Sequence, residues 1–125
     1  MTRDRFAEIA QAAFDSLPAE FKDRVENVHI EIEDYPSDDA LGRVKADRTS
    51  LLGLYQGIPL THRGQWYGMS PTAPDTISLY QKNIESVCTT EEETELRIRE
   101  VLFHELGHYF GMNESQIRNA MKRFM

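Results

Sequence analysis

Two histidines four residues apart flank a glutamate in the stretch His104-Glu105-Leu106-Gly107-His108. On an α-helix, with about 3.6 residues per turn, positions i and i+4 share one face, so both imidazoles can bind one metal ion. The glutamate of such an H-E-x-x-H arrangement is not a ligand; it takes a proton from a metal-bound water that attacks a carbonyl carbon. The spacing therefore predicts Zn²⁺ on His104 and His108, with Glu105 as the catalytic base. The alternative is a histidine pair satisfied by solvent or by the core.

A catalytic zinc needs one more protein ligand and an open position for water. Gly111 follows His108 by three residues and can end the helix in a left-handed conformation that turns the chain back. Glu114 would then reach the metal, and it is our candidate for the third ligand. The alternative is that Asn113 and Gln116 form a capping box for a last helix, with Glu114 an ordinary carboxylate near the helix N-terminus.

The pattern from His104 to Glu114, H-E-x-x-H-x-x-G-x-x-E, is similar to the extended motif of the metzincin zinc peptidases, with Glu in place of their usual third His. The chain as a whole resembles the minimal zincin-like metallopeptidase domain family of bacteria, and the likeness includes residues 51–61 and 74–80. The resemblance implies a small α+β zincin fold, a peptidase-like site and an acidic residue at position 114, but no particular substrate. The Met-containing turn of metzincins is missing, because it lies well downstream of the motif and only seventeen residues follow His108.

Length and charge limit the classes of function. A chain of 125 residues is the size of one domain, which we expect to span residues 1–125. The formal net charge of -7 disfavours nucleic-acid binding, which needs a clustered basic surface. We expect a cytoplasmic protein that does not enter a membrane, because the chain has neither a signal-peptide pattern nor an apolar run of the roughly 20 residues that span a bilayer. The single cysteine, Cys88, excludes a disulfide within the chain and a Cys-based zinc site.

Periodic patterns predict the elements that must position the motif. Helices are expected over residues 4–16 and 19–24, from a capping box of Thr90 and Glu93 to about Phe110, and at the C-terminus. Strands are expected over 28–33, 51–56 and 76–81, and the last two are expected to pair in one sheet. Residues 34–47 are expected to form a solvated loop, and His29 to lie on the exposed side of its strand. Apolar residues surround most of the motif helix, which predicts that it is buried, and Gly107 indicates close packing against a strand or a substrate. The result is an α+β fold in which a mixed sheet of about three to four strands packs with an N-terminal helix, the motif helix and a C-terminal helix.

The long connection over residues 60–75 is predicted to form one wall of a cleft, because long loops in compact domains are often functional. Trp66 and Tyr67 could contact a substrate there, or Trp66 could simply cover the sheet edge. His62 is a weaker candidate for a fourth ligand, because a catalytic zinc keeps that position open.

The predicted function is hydrolysis of peptide bonds by a zinc-activated water, with a peptide or an unfolded protein as substrate and a partner chain as a candidate to complete the cleft. The predicted site comprises Glu105 as catalytic base and His104, His108 and Glu114 as metal ligands. The alternative is a metal-binding interaction module with an intact zinc site and little or no turnover. Both interpretations predict bound zinc, so only turnover separates them; a structural domain with a fortuitous motif would hold no stoichiometric metal.

Overall fold

A computed structural model describes residues 1–57 and 75–124 of the chain. The predicted cleft wall, with His62, Trp66 and Tyr67, lies outside these residues except for Asp75. The described elements are α1 (Arg3–Asp15), α2 (Ala19–Lys22), β1 (Val28–Glu33), α3 (Asp38–Arg43), β2 (Gly53–Gln56), β3 (Asp75–Tyr80), α4 (Gln81–Ser86), α5 (Glu91–Tyr109) and α6 (Glu114–Phe124). The predicted α+β class is confirmed.

The three described strands form one mixed sheet in the order β1-β3-β2. β1 runs parallel to β3, and β2 runs antiparallel to it, so the expected pairing of the second and third strands is confirmed. The N–H of Tyr80 donates to the carbonyl of Leu52 (3.0 Å), and such bonds alternate along an antiparallel pair. Gly53 and Tyr55 therefore direct their N–H and C=O groups away from β3, to the outer edge of the sheet.

The hydrophobic core lies where α1 and α5 pack against one another and against the sheet. Phe6 of α1, Ile77 of β3 and Leu102 of α5 are all fully buried there. The motif helix α5 is thus as buried as its apolar residues predict. No helix within residues 1–57 and 75–124 has both the length and the apolar character needed to cross a membrane.

Two short helices differ from the sequence-based expectation. Residues 34–47 were expected to be a solvated loop, and this is wrong for α3: the Ser37 hydroxyl accepts the N–H of Ala40 (3.1 Å), and Asp38 and Asp39 occupy the first turn. The acidic residues suit the positive end of a helix rather than a loop. Likewise, α4 begins at Gln81, which the alternating pattern assigned to the preceding strand.

Candidate metal centre

The helix that carries the motif, α5, begins with the predicted cap. The hydroxyl of Thr90 accepts the N–H of Glu93 (3.1 Å), while the Glu93 carboxylate accepts the N–H of Thr89 (2.9 Å). Glu91, Glu92 and Glu93 place negative charge in the first turn, where the helix dipole favours it. The helix then continues without interruption through the motif to Tyr109.

Gly111 ends this helix in the way its position predicts. Its φ of 79° is left-handed, a conformation that glycine adopts without the steric cost of a Cβ. The N–H of Met112 donates to the carbonyl of Gly107 (2.9 Å), and the N–H of Gly111 donates to the carbonyl of His108 (3.0 Å). These two bonds are those of a Schellman motif, which satisfies carbonyls at the helix end and reverses the chain towards α6.

The capping of α6 and the approach of Glu114 to the histidines occur together. Asn113 Oδ1 accepts the N–H of Gln116 (2.9 Å), and Gln116 Oε1 accepts the N–H of Asn113 (2.8 Å), which completes the capping box. Glu114 is the first residue of α6, and its carboxylate nevertheless reaches both imidazoles. The two interpretations of this segment are therefore compatible, because the cap aims the first turn of α6 at α5.

Glu114 faces the same nitrogen of each histidine. Its Oε2 lies 2.8 Å from His104 Nε2, and its Oε1 lies 3.4 Å from His108 Nε2. The two imidazole rings are 4.8 Å apart between centroids and nearly perpendicular, at 87°. In a tetrahedral zinc site with metal–ligand distances of about 2.0–2.2 Å, ligand atoms lie roughly 3.4 Å from each other. Two imidazole nitrogens and a carboxylate oxygen are also a ligand set of catalytic zinc, so these residues fit the ion.

Glu105 lies on the other side of the His104 ring. The ligand atoms of His104, Glu105 and His108 all lie within 4.8 Å of one another, so these three side chains could together hold a metal ion. Its Oε1 accepts the N–H of Tyr55 in β2 (2.9 Å), and its Oε2 lies 2.9 Å from His104 Nδ1. Glu105 thus contacts Nδ1 of His104, whereas Glu114 faces Nε2 of both rings.

The two carboxylates change the titration of the site. The pKa of His104 is raised from 6.5 to about 9, chiefly by the hydrogen bond with Glu105 and to a smaller extent by Glu114, although burial opposes the rise. The hydrogen bond between Glu114 and His104 lowers the pKa of Glu114. At neutral pH without metal, His104 is therefore a charged imidazolium between two carboxylates, and a metal must displace a proton to bind Nε2.

A groove of about 360 Å³ opens beside the histidines. It runs between the start of β2 and α5, and His104 and Glu105 lie in its lining. A Cβ on Gly53 would fall 2.6 Å from Val101 Cγ1, so the absence of a side chain there lets the sheet edge approach the helix. The other lining residues are mainly apolar, with one charged pair: Leu51, Leu52, Met121, Arg97 and Glu100.

Other residues considered from the sequence lie away from these side chains or pack differently. His29 is exposed on β1, which β3 separates from β2, and Cys88 precedes α5 at the end opposite the motif. Gly107 packs closely, as expected, but against Ile117 of α6 rather than a strand or a substrate. The contact between Tyr55 and Glu105 was not predicted, because a strand pattern does not say which helix residue faces its edge.

A family model described as a zincin-like metallopeptidase matches residues 25–123. A search of curated proteins found no match. Among solved structures, the fold is similar to that of a conserved hypothetical protein from T. thermophilus, with a TM-score of 0.55 and 21% sequence identity over 98% of this chain and 99% of that one. At this identity the structural likeness concerns the fold alone.

Proposed function

The chain belongs to the zincin-like metallopeptidase family, and we propose that it is a zinc-dependent peptidase that hydrolyses peptide bonds with an activated water. Membership of this family implies a metal ion, usually zinc. The observation that carries the proposal is the position of Glu114, whose carboxylate faces Nε2 of both motif histidines. This arrangement supplies the third ligand that a catalytic zinc requires and that the H-E-x-x-H motif alone lacks.

In this proposal His104, His108 and Glu114 hold the metal. Zinc bound there would act as a Lewis acid that brings the pKa of water down to about 7. Glu105 accepts the proton of the attacking water and passes it to the leaving amine. With only 8% of its surface exposed, and with the Tyr55 N–H bound to one oxygen, the Glu105 carboxylate is held in one orientation.

The outer edge of β2 offers a place for the substrate. Gly53 presents its N–H and C=O outward beside the groove, and an extended peptide gains main-chain hydrogen bonds by adding to such an edge. At Tyr55 the N–H is already bound to Glu105, so within residues 53–56 only a short stretch of edge is available. We therefore expect slow, weakly selective cleavage of peptides or unfolded proteins, since the residues that the structure describes offer few remote contacts to position the scissile bond.

The test is turnover of a diverse unfolded-peptide mixture by the zinc-loaded chain. Glu105→Gln, purified identically and assayed with zinc at saturation, should lose hydrolysis because it cannot accept the proton. A variant with the exposed His29→Ala serves as the control and should cleave like the wild type. A zinc-loaded wild type that cleaves no peptide would favour the interaction module, and an active Glu105→Gln would remove Glu105 from the mechanism.

A further inference from the structure

Three groups form a row from the sheet edge to the metal ligands: the backbone N–H of Tyr55, the carboxylate of Glu105 and the ring of His104. The distances are 2.9 Å from Tyr55 N to Glu105 Oε1 and 2.9 Å from Glu105 Oε2 to His104 Nδ1. The ring then presents its other nitrogen, Nε2, to Glu114. Each group in this row constrains which atoms of the next group donate a hydrogen bond and which accept one.

The first group, the backbone N–H of Tyr55, can only donate a hydrogen bond. Tyr55 is opposite Ile77 in the β2–β3 pair, at a position whose N–H points to the outer edge, so the sheet register fixes its direction. A backbone N–H has no lone pair to offer, so the atom of residue 105 that faces it must be an acceptor. A carboxylate meets this requirement with either oxygen.

The second member can only accept. An ionised carboxylate has no hydrogen, so the bond between Glu105 Oε2 and His104 Nδ1 needs the proton on Nδ1. Without metal, the contact of Nε2 with Glu114 takes a second proton on the ring. With a metal in place of that proton, the one remaining hydrogen would be on Nδ1 and the lone pair on Nε2. Nε2 is the nitrogen that faces Glu114, where a metal would bind.

We propose that Glu105 is also a positioning residue, which holds His104 as the Nδ1–H tautomer and is itself oriented by the Tyr55 N–H. This inference rests on the proposed zinc site. This role is additional to that of a base. Because the Glu105 carboxylate accepts the Nδ1 hydrogen, the lone pair on Nε2 stays free for the metal. The row also explains why the N–H of an edge strand is directed at a motif side chain rather than at solvent.

Replacement of Glu105 by Gln reverses the donor and acceptor roles at His104 Nδ1. The Gln carbonyl must face the Tyr55 N–H, so its NH₂ faces His104 Nδ1 and forces that nitrogen to accept. The ring hydrogen then lies on Nε2, where it competes with the binding of a metal ion. Glu105→Ala removes the same negative charge but leaves Nδ1 to donate to water. Gln should therefore bind zinc more weakly than Ala, although it is closer to Glu in shape.

The experiment is a zinc titration of the full-length wild type, Glu105→Gln and Glu105→Ala, with circular dichroism to verify folding. We expect a loss of about 10–100-fold in affinity for Gln, the usual effect of disturbing a residue that orients a ligand, and a smaller loss for Ala. Gln binding as tightly as Ala, or more tightly, would overturn the tautomer assignment alone. A wild type that binds no zinc would overturn the metal site and this inference with it.

A measurement on the wild type makes the inference independent of how the variants fold. In the zinc-loaded protein, the Nδ1 proton of His104 should give a resolved proton resonance, because its hydrogen bond to the buried Glu105 slows exchange with water. An Nδ1 proton that exchanges too fast to be observed would contradict the proposed bond.

Discussion

Gly107 offers a test of how α6 is held against the motif helix. A Cβ at this position would lie 2.8 Å from Ile117 Cδ1 and 3.4 Å from its Cβ, and closer still to its Cγ1. Ile117 is only 2% exposed and lies one helical turn after Glu114. The absence of a side chain at Gly107 therefore lets α6 approach α5 closely enough for Glu114 to reach His104.

Two effects of Gly107→Ala on the free energy of unfolding have opposite signs. Replacing Gly by Ala within a helix stabilises by about 1 kcal/mol. Overpacking a filled contact costs about 1–3 kcal/mol, and the buried Ile117 cannot yield without moving α6. We expect overpacking to win, with a net loss of about 1 kcal/mol. Zinc affinity should also fall, because a displaced α6 takes Glu114 away from both imidazoles.

Urea unfolding of the metal-free variants and zinc titration measure the two effects. Adding Ile117→Ala to Gly107→Ala removes the atoms in closest contact and should recover part of the zinc affinity lost by the single variant. The control is Ile84→Ala in α4, a helix that packs against α5 and β3: this change should lower stability by about 2–5 kcal/mol without changing zinc affinity. A Gly107→Ala variant that is more stable, with unchanged zinc affinity, would refute the reasoning.

Three further predictions concern Glu114, Gly111 and His104. Glu114→Ala should weaken zinc binding strongly, and Glu114→His should partly restore it. Asn113→Ala, by contrast, should lower the free energy of unfolding by about 1 kcal/mol because a helix cap is lost. An alanine at 114 that changed only thermal stability would rule out the ligand role. Gly111→Ala should lower the free energy of unfolding by about 1–2 kcal/mol, because φ is 79° there; an unchanged urea midpoint would contradict this. Since the folded pKa of His104 is raised from 6.5 to about 9, its stabilisation of the metal-free protein should be complete below pH 6.5 and lost as pH rises through 9. Zinc affinity should rise over the same interval, with proton release measurable by calorimetry in buffers of different ionisation enthalpy.

The parts of the site that depend on local geometry could be predicted from the sequence. The left-handed turn at Gly111 and the capping box of Asn113 and Gln116 follow from residue types at fixed spacing, and both occur. The burial of α5 and the pairing of β2 with β3 follow from hydrophobic periodicity. The assignment of His104, Glu105, His108 and Glu114 to metal binding and catalysis stays a prediction, although the structure brings their side chains together.

Contacts between elements distant in sequence could not be predicted. Ile117 fills the space at Gly107, and Tyr55 donates to Glu105 across fifty residues; both depend on how helix and strand are docked, which periodicity does not specify. The short helices α3 and α4 were missed because a few residues hold too little of a periodic pattern. A single domain over residues 1–125, a cytoplasmic location and a partner that completes the cleft also stay predictions.

The central claim is that His104, His108 and Glu114 hold one zinc ion, and elemental analysis of the purified chain tests it most directly. We expect one zinc per chain in the wild type and none in His104→Ala or His108→Ala, with His29→Ala retaining the wild-type amount. A folded wild type that is purified in the presence of zinc and still contains no stoichiometric metal would contradict the claim.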